Sequence, residues 1–209
     1  MIVHGYLPYE ELQATLGAKT TAKQADYERA IGSASRIVDG ICSCPQLNIV
    51  RHFWRDEAPT GRVYCASDPR TVRVGDFADP DDLTVEVWSG TAWVALADDA
   101  WQAEPFNPVD GFPHTTLTAT GYDPLFPVGL KAGVRATTRW GWVDVPEAAG
   151  TATQILSVAL LQGIDIISNE DGYSRGAEMA NPFELARMAL DAYIPDEVKA
   201  WRAANIRAA

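Results

Sequence analysis

The stretch Thr138-Arg139-Trp140-Gly141-Trp142-Val143-Asp144-Val145-Pro146 decides how this chain is read, because it joins an alternating strand to a long apolar helix. Residues 133 to 140 alternate with period two, and on that period Trp140 and Trp142 share a side. One face of the strand is therefore strongly aromatic and needs cover from the long helix or another neighbour. Gly141 supplies a turn, and Asp144 and Glu147 stand in capping-box spacing around Pro146. The helix that starts there should run to about Ile167. Its apolar positions Ala148, Ala152, Ile155, Leu156, Ala159, Leu160, Gly163 and Ile167 cover more than a narrow stripe, which predicts packing on two sides at the centre of the fold.

Working outward, Pro8, Glu10, Glu11 and Gly17 frame a short helix from about Leu7 to Leu16. Thr21 and Gln24 stand in capping-box spacing before a second helix. Its residues Tyr27, Ala30, Ile31, Ala34, Ile37, Val38 and Ile41 recur at three- and four-residue intervals, the mark of an amphipathic helix, and Pro45 closes it. Beyond the central helix, 168–180 reads as a mobile surface loop. Asn181-Pro182 then caps a helix to about Tyr193, and after Pro195 a last helix carries Val198, Trp201 and Ile206.

Between Pro45 and Lys131 the composition turns to β-branched and aromatic residues broken by Gly, Pro and Asp. Expected strands are Ile49 to Trp54, Arg62 to Ala66, Thr71 to Val74, Leu83 to Trp88, Ala92 to Leu96 and Thr115 to Thr120. Leu83 to Trp88 and Ala92 to Leu96, joined through Ser89-Gly90-Thr91, form a hairpin. The expected class is α+β: a mainly helical core of four to five helices with a large inserted antiparallel β-subdomain. Residues 1–46 supply the N-terminal helices, 47–132 the β insertion, and 133–209 the strand, central helix and C-terminal helices that complete the α core.

The chain has 209 residues, 47% hydrophobic and 22% charged, ordinary for a folded globular protein. With 17 Lys and Arg against 28 Asp and Glu, its net charge of −11 disfavours a direct grip on nucleic-acid phosphates. The first 17 residues have neither a basic leader nor an apolar core with a cleavage site, so no secretory signal is expected. The apolar run from Ile155 to Ile167 is too short to span a bilayer, so no membrane partner is expected. Cys42, Cys44 and Cys65 read as free thiols. A zinc site built from them with His52 is the weaker reading, since Cys-x-Cys is not the usual ligand spacing. His4 and His114 adjoin no nucleophile motif. No catalytic residue, metal or cofactor is assigned. Seven tryptophans, Trp54, Trp88, Trp93, Trp101, Trp140, Trp142 and Trp201, serve more commonly as core and interface anchors than as a sugar-stacking platform; a carbohydrate-binding β module on a helical scaffold is the alternative reading.

The segments ASRIVDGICSC leading to FWRD, RVYCASDPRTVRVGDF, and VRATTRWGW followed by VDVPEAAGTATQILSVALLQ occur in an order that resembles the head-to-tail connector (adaptor) family of long-tailed double-stranded-DNA bacteriophages. The resemblance spans nearly the whole chain. It implies a structural virion protein in the neck, assembled in the host cytoplasm: a ring of about twelve copies beneath the portal protein, above a tail-side neck (stopper) protein, with DNA passing through unbound. It makes Phe183, Leu185, Met188, Tyr193 and Trp201 portal-contact candidates, and Trp88 and Trp93 candidates for tail-side or intersubunit contact. On this reading a ring would carry a charge on the order of −130, and a carboxylate-lined lumen repels phosphates. Asp79, Asp81, Asp82, Asp98 and Asp99 are the channel-lining candidates, against the plainer reading of turn-forming Asp on a solvated surface.

Overall fold

A computed structural model describes residues 5–17, 23–47, 49–106, 108, 111–162 and 181–206. The fold is α+β. The chain divides into two compact units, one from residues 1–53 and 145–209, the other from Trp54–Asp144. The first is helical and the second is built from two antiparallel sheets.

In the helical unit, α1 (Tyr9–Leu16), α2 (Gln24–Cys42), α3 (Glu147–Leu161), α4 (Pro182–Ala189) and α5 (Asp196–Ile206) follow one another in sequence. α3 packs against α2 and α4, as its broad apolar surface requires. Ala149, Ala152, Ser157 and Ala159 are buried on it, small side chains that let neighbouring helices approach closely. The helix does not start from the expected capping box: Pro146 is the N-cap, with no side-chain cap. Proline disfavours helical geometry at Val145, so a start at Asp144 is blocked; with Pro146 as N-cap, Glu147 falls at the first helical position and the residue three after the cap is Ala149, which cannot complete a capping box. α2 begins where Lys23 N–H donates to Asp26 Oδ2 at 3.0 Å. The expected cap at Thr21, the loop 168–180 and the extension of α3 from Gly163 to Ile167 lie outside the described residues. Asn181 caps α4 as expected, its Oδ1 accepting from Phe183 N–H at 3.0 Å.

The segment 49–54 is not a strand. Only Ile49 pairs, as an isolated bridge to Cys44. Side chains satisfy its backbone in place of a ladder: Arg51 N–H donates to Ser43 Oγ at 2.9 Å and Phe53 N–H to Tyr6 Oη at 2.8 Å. Tyr6 organises this part of the unit. Its backbone N–H donates to Ser35 Oγ at 3.1 Å, its hydroxyl donates to Asp39, and Arg36 pairs with Asp39 at 3.0 Å. Burial pushes the Asp39 carboxyl up to about 6, outweighing the opposing pull of Tyr6 and Arg36. Burial, and then the charge of Asp39, push the Tyr6 phenol far above its ordinary range. Because the folded state holds the Asp39 proton more tightly than the unfolded chain, this group's stability is full below about pH 4 and declines as pH rises through about 6. Urea unfolding should therefore show the wild type losing about 2 kcal/mol relative to Asp39→Asn between about pH 4 and pH 7. A pH-independent difference would contradict this account.

In the β unit, β1 (Thr60–Tyr64), β7 (Val134–Thr138), β3 (Thr84–Trp88) and β4 (Trp93–Ala95) form one sheet in that order. β2 (Thr71–Phe77), β6 (His114–Ala119) and β5 (Trp101–Glu104) form the other. Val72 and Phe77 of β2, Leu117 of β6, Val85 of β3, and Val134 and Ala136 of β7 are buried in one core shared by both sheets. The strand read from sequence as part of the α core is therefore hydrogen-bonded between β1 and β3 and belongs to the β unit. Both tryptophans have partners within that unit. Trp140 packs against Tyr64 and Phe77 and donates from Nε1 to the Thr60 carbonyl at 2.7 Å. Trp142 packs on Phe112 and donates to Asp76 Oδ2 at 3.0 Å. Gly141 between them has φ +106°, which ends the period-two alternation and sends the two rings into different surroundings.

Candidate functional site

The surfaces singled out in the sequence lie at three places: the β3–β4 hairpin, the acidic turns beside it in sequence, and the C-terminal helices. In the hairpin, Trp88 pairs across the ladder with Trp93. Gly90, at φ +98°, makes the turn, and Ser89 Oγ accepts from Ala92 N–H at 3.1 Å. The two indoles meet edge to face at 5.4 Å, and the Arg135 guanidinium lies 4.7 Å above the Trp93 ring. Arg135 is fixed in turn by Glu86, with bonds of 2.5 and 2.6 Å that hold the Glu86 carboxyl below its ordinary range. Trp88 and Trp93 are thus half-buried parts of a rigid surface. A pyranose stacks on an open, flat ring face; here one Trp93 face carries Arg135 and the two rings are inclined at 63°.

The five channel candidates divide. Asp79 caps the 3-10 turn Pro80–Asp82, its Oδ1 accepting from Asp81 N–H at 3.1 Å, and it pairs with Arg55 at 3.7 Å. Asp82 pairs with Arg139 and, at 3.7 Å, with Arg55. The turn-forming reading therefore accounts for Asp79, and Asp82 is already neutralised. Arg55, Arg135 and Arg139, distant in sequence from the carboxylates they reach, were not foreseen as their partners. Asp81, Asp98 and Asp99 are exposed and have no ion-pair partner among the described residues.

On the C-terminal helices, Ala186 and Leu190 turn inward while Leu185 and Met188 are exposed, Met188 to 68%. Phe183 and Trp201 are half-buried. Tyr193 is committed to the helical unit: its ring meets Phe53 at 6.0 Å and its carbonyl accepts from Arg51 at 2.7 Å. Cys42 and Cys44 are buried and Cys65 exposed, and none is in a disulfide. Among the described residues no three His, Cys, Asp or Glu side chains are placed to hold a metal, and no helix is long and apolar enough to cross a membrane.

The architecture is that of a helical unit interrupted in sequence by a two-sheet β unit. No family model and no curated protein matches the chain. Among solved structures it is similar to a chain in the neck of an empty gene transfer agent particle computed with C6 symmetry, at 15% identity and a TM-score of 0.50, over 90% of this chain and 92% of that one. A chain in the virion of a native gene transfer agent particle aligns at 16% identity and a TM-score of 0.49, over 88% of each chain. At these identities the likeness is one of fold.

Proposed function

We propose that this chain is a structural protein of a phage-type neck, a head-to-tail connector that forms a ring beneath the portal and leaves a channel for DNA. The observation that carries the reading is the likeness of fold, over nine-tenths of both chains, to a chain from the neck of a gene transfer agent particle. A ring of about twelve contains the sixfold axis used for that neck. The sequence order of helix, β insertion and Gly-Trp strand leading into a central helix supports the same reading. The net charge of −11 suits a lumen past which DNA slides. With Asp79 and Asp82 paired, Asp81, Asp98 and Asp99 are the candidates left to face the channel or a partner.

The portal is read as contacting the α4 face that bears Leu185 and Met188, and the tail-side neck protein or the next copy as contacting the Trp88–Trp93 surface. Glutamate at both positions 185 and 188 should change stability by no more than about 0.5 kcal/mol, as for exposed sites, while abolishing portal capture in a pull-down. Retained capture would remove α4 from the interface. Electron microscopy of the cognate portal with and without this chain tests the role itself: an added ring of density on one face is expected, and a portal unchanged by excess chain would overturn the reading.

A further inference from the structure

The β unit holds a cleft of about 460 Å³ lined in part by Asp81, Asp98, Trp101, Gln102, Phe106 and His114. Asp81 stands between two carboxylates that the fold neutralises with Arg55 and Arg139, yet among the described residues it and Asp98 have no ion-pair partner and no Lys or Arg lines the cleft. Aromatic surface accompanies this charge, with Phe106 exposed to 67%. Trp101 and His114 line the same cleft and are each only 7% exposed, and among the described residues Trp101 Nε1 and His114 Nδ1 have no hydrogen-bond partner.

Twice elsewhere in this unit the fold joins a carboxylate, an arginine and an indole. Glu86 holds Arg135 over Trp93, and Asp56, 3.3 Å from Arg62, accompanies Arg62 over Trp140 at 4.8 Å. The cleft presents the carboxylates and the indole of that arrangement without an arginine of the chain's own among the described residues. We propose that it receives an arginine side chain from a partner protein, the guanidinium between Asp81 and Asp98 and the alkyl stem along Trp101 and Phe106. Charge complementarity selects the cation, the aromatic wall favours a guanidinium over a compact ammonium, and the cleft is wide enough to admit the side chain. The proposal uses only the cleft and does not rest on the ring reading.

The test is a ¹H–¹⁵N NMR titration of the full-length chain with a capped Ala-Arg-Ala peptide, its citrulline isostere, and an Asp81→Asn/Asp98→Asn variant that keeps the wild-type spectrum elsewhere. Saturable shifts confined to Asp81, Asp98–Phe106 and His114 are expected with the arginine peptide. Citrulline, the double variant, or raised salt should each weaken them, the first two by about tenfold. No localised shift with the arginine peptide, or equal binding of the citrulline peptide or by the double variant, would overturn the proposal. Either result leaves portal binding to be judged separately.

Discussion

Gly141→Ala should be the most damaging small substitution in the chain, lowering stability by about 4 kcal/mol or more and the thermal midpoint by about 10 °C. A Cβ built on Gly141 would lie 1.8 Å from the Trp54 carbonyl oxygen, 2.7 Å from its carbon and 3.0 Å from Arg55 Cα. All three are backbone atoms, so no rotamer change relieves the clash. Displacing either strand of chain would strain two hydrogen bonds that close the junction, Gly141 N–H to the Asp76 carbonyl and Asp56 N–H to the Trp140 carbonyl, both 2.7 Å. The φ of +106° adds a further cost for any L side chain. Gly90 separates the two effects, because it has φ +98° but a Cβ placed there would meet nothing within 4 Å. Gly90→Ala should cost only about 1 kcal/mol. Equal melting of the two variants, followed by circular dichroism, would show that the contact with Trp54 does not constrain position 141.

Trp140→Ala should cost about 3–5 kcal/mol, the range for deleting a buried aromatic side chain. Trp140 is fully buried, bordered by Tyr64 at 5.8 Å, Phe77 at 6.2 Å and the Arg62 guanidinium at 4.8 Å. Truncation removes this ring from the shared core of the two sheets and leaves the Thr60 carbonyl without its indole donor. Trp140→Phe keeps most of the packing and loses that bond, so a loss of about 1–2 kcal/mol is expected. Urea unfolding of the three proteins distinguishes these terms. A phenylalanine variant as unstable as the alanine variant would assign the indole's role to its N–H and not to its packing.

The sequence made the local devices legible. The three- and four-residue spacing from Tyr27 to Ile41 describes α2, Ser89-Gly90-Thr91 makes the hairpin turn, and Asn181-Pro182 starts α4. What it did not show are features set by distant parts of the chain. β5 has only Trp101 and Ala103 pointing inward, too short an alternation to stand out before its pairing with β6 is known. The segment 49–54 has the composition of a strand, but the Ser43 and Tyr6 side chains take the N–H groups of Arg51 and Phe53. Period two placed Trp140 and Trp142 together until the positive φ of Gly141 separated them.

The candidate surfaces were legible in the same uneven way. Exposed Leu185 and Met188 follow from the helical pattern, since Ala186 of α4 and Leu190 at its C-cap turn inward. The acidic stretch looked uncompensated because Arg139 lies 57 residues from Asp82, and Arg55 precedes the strands. Those pairings are what distinguish the two neutralised carboxylates from Asp81 and Asp98 and make the cleft stand out.

The most direct measurement of the connector reading is multi-angle light scattering of the full-length chain mixed with its cognate portal. A ring should add about 270 kDa to the portal, the mass of about twelve copies of a 22.7 kDa chain. A chain that elutes as a monomer beside an unchanged portal at every salt concentration would contradict it.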